Sequence, residues 1–154
     1  MAPLVVAAGL SRAEADVAAA VSLHDQYGEE RDLSFPREHV SVLLIADRKG
    51  SGGLEPWIAS ICERYEEGID IEGVALLKGV PRPLRGLIRK LFRSGVPHPV
   101  MLDWTNESAD LYDFDPNKPN LFVITRDGRI HLRINGASDE DNKARCFAGI
   151  DELL

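Results

Sequence analysis

The sequence predicts an α/β domain whose chemistry-bearing loop follows one buried strand. Val40–Ala46 is a seven-residue run rich in Val, Leu and Ile, the composition of a strand buried on both faces. The next stretch, Asp47-Arg48-Lys49-Gly50-Ser51-Gly52-Gly53, reads as a loop, because three glycines in four positions weaken any regular element. From Leu54 the apolar residues Leu54, Ile58, Ile61 and Tyr65 recur at helical spacing. Pro56 lies in the first turn, where its missing N–H costs nothing. A buried strand that delivers a loop to a helix N-terminus is where α/β proteins usually place their chemistry.

The remaining elements follow in order. Residues 18–23 form a short apolar strand and residues 31–35 alternate polar and apolar, so the pair reads as a β-hairpin turning at Tyr27-Gly28. Gly68 stops the Leu54 helix, and residues 69–77 read as the next strand. Pro81-Arg82-Pro83 opens a second helix over 84–93, ended by Ser94-Gly95. Residues 100–103 form a short strand, and Asn106 is placed to cap a short helix over 107–112. Strands at 121–125 and 129–134 are joined by Arg126-Asp127-Gly128, a strong hairpin signal. Ser138 begins a last helix, with Asp139, Glu140 and Asp141 favourable to its N-terminal dipole.

A chain of 154 residues, 44% hydrophobic and 28% charged, suits one domain with a real core. Its formal charge of −7 argues against general nucleic-acid binding. No apolar run approaches the roughly 20 residues that cross a bilayer. The first ten residues are apolar and Ala13-Glu14-Ala15 resembles a processing site, but no Lys or Arg precedes the apolar part. Ser11-Arg12-Ala13-Glu14 is equally a capping box opening an Ala-rich helix. Residues 1–17 are therefore set apart as an extension, either helix or signal remnant, and both an exported (periplasmic) and a cytoplasmic location stay open.

The strand, loop and helix with Pro56 and Trp57 near its start resemble the active-site corner of the thioredoxin-like fold, in its redoxin branch. Lys118-Pro119-Asn120-Leu121-Phe122-Val123-Ile124 resembles the family's cis-proline and following strand, and Thr125-Arg126-Asp127-Gly128-Arg129-Ile130 its hairpin. Ala46-x-Arg48 and Asp127-Gly128-Arg129 are similar to the bacterial periplasmic YtfJ-like proteins. The resemblance implies a thioredoxin-like three-layer α/β/α sandwich over residues 18–154, with a mixed central sheet and an N-terminal β-hairpin in which Leu33 packs before the first central strand. It also implies a cis Lys118–Pro119 bond facing Ser51. Ser51-Gly52-Gly53-Leu54 stands where the family carries Cys-x-x-Cys, and neither cysteine is present. Dithiol chemistry needs a thiolate nucleophile and a resolving thiol, so the corner is expected to be vestigial and the domain a redox-inactive binding or scaffold module for a protein partner.

Two alternatives compete. A thiol peroxidase or oxidoreductase would use Cys62, but that residue follows Leu54 by roughly 12 Å of helix at about 1.5 Å per residue, beyond the dipole's first turn. A small-anion site would use Arg48, Lys49, Gly50, Ser51 and Gly52 at the helix start, although no phosphate-loop motif is present. The redoxin arrangement brings Cys62 near Cys146, a candidate disulfide. Arg85, Arg89 and Arg93 make the second helix basic on one side, with Leu84, Leu87, Ile88, Leu91 and Phe92 on the other, a candidate partner surface. Asp110, Asp113, Asp115 and Asn117 imitate a calcium loop but fail at Lys118 and Ile124. The four histidines show no ligand spacing, so neither metal nor cofactor is expected.

Overall fold

β3, Val40–Ala46, lies at the centre of a five-stranded sheet of order β5-β4-β3-β6-β7. The computed structural model describes residues 17–154. The capping box at Ser11 and the processing-like Ala13–Ala15 lie outside them. β3 pairs in parallel with β4 (Ile69–Leu76), which pairs in parallel with β5 (Met101–Asp103). On its other side β3 runs antiparallel to β6 (Asn120–Ile124), and β6 antiparallel to β7 (Ile130–Asn135). β1 (Val21–His24) and β2 (Glu30–Leu33) form the separate hairpin. Asp25 closes its turn by accepting the Tyr27 and Glu29 N–H groups.

The helices are α1 (Leu54–Tyr65), α2 (Arg85–Gly95), α3 (Glu107–Leu111) and α4 (Glu140–Asp151). The crossovers β3-α1-β4 and β4-α2-β5 step in one direction, and right-handed connections then put both helices on one face. Alternation along β3 serves the two layers. Val42, Leu44 and Ala46 pack with Trp57, Ile58 and Ile61 of α1 and Ile150 of α4. Leu43 and Ile45 pack on the opposite face with Tyr112 and with Leu33 of the hairpin. The fold is the expected thioredoxin-like three-layer sandwich with a mixed sheet.

Local structure departs from the sequence reading in three places. Ser51–Gly53 is one turn of 3-10 helix running directly into α1, rather than a loop. Gly50 and Gly53 have ordinary right-handed dihedrals (φ −88° and −87°), so the glycines serve close approach and leave the backbone free to turn helically. Asn106 does not cap α3; its side chain accepts the Lys78 N–H at 3.0 Å. The Ser108 N–H at that helix start goes instead to the Asp103 carboxylate, at 2.9 Å. The last helix begins after Asp139, whose Oδ1 accepts the Asn142 N–H at 2.8 Å.

Candidate functional site

The corner at the end of β3 is built around the Asp47 carboxylate. One oxygen accepts the Gly50 N–H at 2.9 Å and the other accepts the Asn117 N–H at 2.8 Å. The loop's own acid thus occupies donors that an incoming anion would need, which weakens the case for a site made of Arg48, Lys49, Gly50, Ser51 and Gly52 alone. Ser51 donates its hydroxyl to the Arg48 carbonyl at 2.8 Å, so its proton is held by main chain and not by the side-chain base that a nucleophile needs.

Pro119 does pack against this corner. A Cβ on Gly53 would lie 2.7 Å from Pro119 Cγ, and one on Gly50 would lie 2.5 Å from the Lys118 carbonyl carbon. The Lys118–Pro119 bond, however, is not cis; among the described residues that isomer occurs only at Phe35–Pro36. Trans is the default by about 0.5–1 kcal/mol. Asn120 steadies the approach: its side chain accepts the Asp115 N–H and donates to the Asp115 and Lys118 carbonyls. Below the corner Trp57, fully buried, donates Nε1–H to the Gly136 carbonyl at 2.9 Å.

Gly50→Ala reads out this closure. Gly→Ala at a compatible backbone usually stabilises, but here the new methyl meets main chain, and overpacking costs about 1–3 kcal/mol. The expected result is a Tm lowered by several degrees; an unchanged or raised Tm would mean that the two loops are not in contact.

Cys62 and Cys146 are free thiols, and the pairing that the resemblance implied is not formed. Both lie in the apolar cluster under α1 and α4, where they pack as small hydrophobic side chains. Burial pushes the Cys146 thiol up to about 12. Burial also pushes the Tyr112 hydroxyl up to about 12, against the opposing Arg133 guanidinium. Both groups hold their protons more tightly folded than unfolded. Their contribution is complete below the ordinary values of 9.0 and 10.0 and is lost as pH rises toward about 12. Denaturant midpoints should therefore fall steadily above about pH 9, and native Cys146 should resist a thiol reagent at about pH 8. Prompt native labelling of Cys146 would contradict this placement.

The basic face of α2 is partly tied to neighbouring protein: Arg85 and Arg89 are half-buried, while Lys90 and Arg93 are exposed. Arg93 donates to the Gln26 carbonyl at 3.1 Å. Arg85 and Arg89 lie over the Trp104 ring, at 5.0 and 5.5 Å from its centroid. The leucine side is the more open one: Leu84, Leu87 and Leu91 are 47%, 53% and 57% exposed. Phe92 alone of the α2 side chains packs with the small cluster of Ala75, Val100 and Leu102.

Between α2 and the corner runs an apolar groove of about 680 Å³, lined among others by Ala46, Ser51, Leu84, Leu91 and Phe92. A second hollow of about 470 Å³ shares Ser51, Leu91 and Phe92 and reaches Leu54 and Ile58 of α1. Arg48 and Lys78 line the larger groove, with Lys49 next to Arg48 in sequence. None of these three cations forms an ion pair among the described residues. The sequence signalled the leucines and the cations separately; their convergence on Ser51 is a product of the fold. Among the described residues no three His, Cys, Asp or Glu side chains gather as a metal site, and no helix is long and apolar enough to cross a membrane.

The chain has a thioredoxin-like fold, and the corner after β3 presents Ser51, Gly52, Gly53 and Leu54, none of them a cysteine. No protein-family model matches the chain, and no curated protein is similar to it in sequence. Solved structures do match. The pneumococcal exposed lipoprotein thioredoxin Etrx1 of Streptococcus pneumoniae is 15% identical, with a TM-score of 0.68 over 88% of this chain and 100% of that one. A thiol-disulfide oxidoreductase from Bacteroides fragilis is 17% identical, with a TM-score of 0.62 over 90% and 99% of the two chains. The thioredoxin domain of a thiol-disulfide oxidoreductase from Bacteroides vulgatus is 15% identical, with a TM-score of 0.59 over 85% and 94%.

Proposed function

We propose that this thioredoxin-like domain is redox-inactive and works as a binding module, taking an apolar peptide segment with acidic flanks from another protein. One observation carries the reading: the corner presents Ser51, Gly52, Gly53 and Leu54 where the resemblance to redoxins would place a dithiol, while an apolar groove opens beside it. Half-exposed Leu84 and Leu91 have apolar area to bury, worth roughly 25 cal/mol per Å² removed from water. The charges of Arg48, Lys49 and Lys78 outnumber the single Asp47 carboxylate beside them and select acidic flanks. Cys62 is no substitute nucleophile, sitting in the third turn of α1 away from the helix start. The similarity of Ala46-x-Arg48 and Asp127-Gly128-Arg129 to YtfJ-like proteins is in keeping with a domain that has dispensed with the dithiol.

Selection from a displayed random-peptide library tests the proposal. The expected outcome is a consensus of three or four apolar residues flanked by Asp or Glu. Binding should be lost with Leu84→Glu plus Leu91→Glu, two exposed positions whose change leaves the fold intact, and weakened by added salt. No enrichment, or enrichment indifferent to this double variant, would remove the groove from consideration.

A further inference from the structure

We infer that the opposite side of α2 is a binding site for a phosphate group, held by Arg82, Arg85 and Arg89. These residues line one hollow of about 410 Å³, together with Ser22, His24 and Thr105. Each guanidinium carries five N–H donors. Among the described residues none of the three forms an ion pair. None donates a side-chain hydrogen bond either, and Arg85 Nε is shielded from solvent without an acceptor. The chain does not lack acceptors elsewhere. Arg31 and Arg37 reach Glu72, Arg64 reaches Asp151, Arg93 reaches the Gln26 carbonyl, and Arg133 reaches the Tyr112 carbonyl. In a protein of net charge −7, three arginines with no ion-pair partner on one stripe concentrate positive charge in this hollow, in excess of the two carboxylates, Asp25 and Asp103, that also line it.

Two further features sharpen it. The start of α2 and the 3-10 turn before it, Arg82–Leu84, have no acidic residue in the first turn and no side-chain cap, so the positive helix end adds to the arginines instead of being neutralised. Trp104 lies under both Arg85 and Arg89, which pre-orders two planar forks that would otherwise lose rotamer freedom on binding. Of the two acids that line the hollow, Asp103 is hydrogen-bonded through both carboxylate oxygens and Asp25 through one. Asp103 accepts from the backbone and hydroxyl of Thr105 and of Ser108, and Asp25 accepts the Tyr27 and Glu29 N–H groups. Arginine forks match phosphate geometry bidentately, and the hollow has room for a small organic group on the phosphate. This site lies across α2 from the apolar groove and does not depend on it.

Titration calorimetry at constant ionic strength tests the site with inorganic phosphate, glycerol phosphate and, as control, sodium chloride. Saturable phosphate binding with Kd on the order of 1 mM or tighter is expected, with none for chloride. Tighter binding of glycerol phosphate would point to a phosphate monoester, and equal binding to free phosphate; either supports the site. Arg85→Ala plus Arg89→Ala should weaken binding by about tenfold or more, as loss of one charge-assisted hydrogen bond already does. Arg82→Ala, at an exposed residue with no packing role, should also weaken it, so a folding defect in the double variant would not decide the matter. Heats that fail to saturate, or phosphate binding unaffected by Arg82→Ala and by the double variant, would overturn the proposal.

Discussion

Trp57→Ala is expected to lower stability by about 3–5 kcal/mol, the range for deleting a large aromatic from a packed core. That corresponds to a Tm drop of roughly 6–20 °C for a domain of this size. The effect has two parts. Trp57 is completely buried in the cluster that joins α1, α4 and β3, and its indole N–H satisfies the Gly136 carbonyl between β7 and α4. Trp57→Phe separates them: it keeps most of the apolar contact and orphans one carbonyl, so it should cost about 1–3 kcal/mol. Urea unfolding of the two variants measures both parts. A Trp57→Ala variant within about 1 kcal/mol of wild type would mean that α1 is not anchored as described.

Asp103→Ala is the second large effect, at about 3 kcal/mol. The Asp103 side chain is fully buried and accepts four hydrogen bonds, two from Thr105 and two from Ser108. Removing it strands donors that have no other partner. The damage should be local as well as global: amides of residues 105–108 should exchange with solvent much faster, because Asp103 supplies the cap that Asn106 does not. Exchange rates there unchanged by Asp103→Ala would contradict this assignment of the cap.

Much of the fold was legible because local signals and tertiary structure agree. Val40–Ala46 has the composition of a doubly covered strand, and every residue of it is buried. Arg126-Asp127-Gly128 marks the β6–β7 turn, where the Gly128 N–H returns to the Thr125 carbonyl. What was not legible depends on partners distant in sequence. Asp47 reads as an ordinary loop residue, yet half its role is an acceptor for Asn117, seventy positions on. The bond before Pro119 is the trans default for X–Pro, and the sequence pattern around it does not by itself distinguish the two isomers. Periodicity in α2 correctly separates arginines from leucines, but it cannot say which side meets protein. Here Arg85 and Arg89 lie against Trp104, and Leu84, Leu87 and Leu91 are left half-exposed. Two of these leucines, Leu84 and Leu91, line the groove beside Ser51.

The central claim is that this thioredoxin-like fold carries no dithiol chemistry at its corner, and insulin-disulfide reduction with dithiothreitol as electron donor tests it most directly. An exchange catalyst needs an exposed thiolate with a second thiol in reach. This chain offers Ser51 to Leu54 at the corner, a half-buried Cys62 and a fully buried Cys146. The account predicts a rate for the wild-type protein indistinguishable from dithiothreitol alone, and the same rate for Cys62→Ser. Reduction clearly above that background, abolished by Cys62→Ser, would contradict it and make the protein a thiol enzyme.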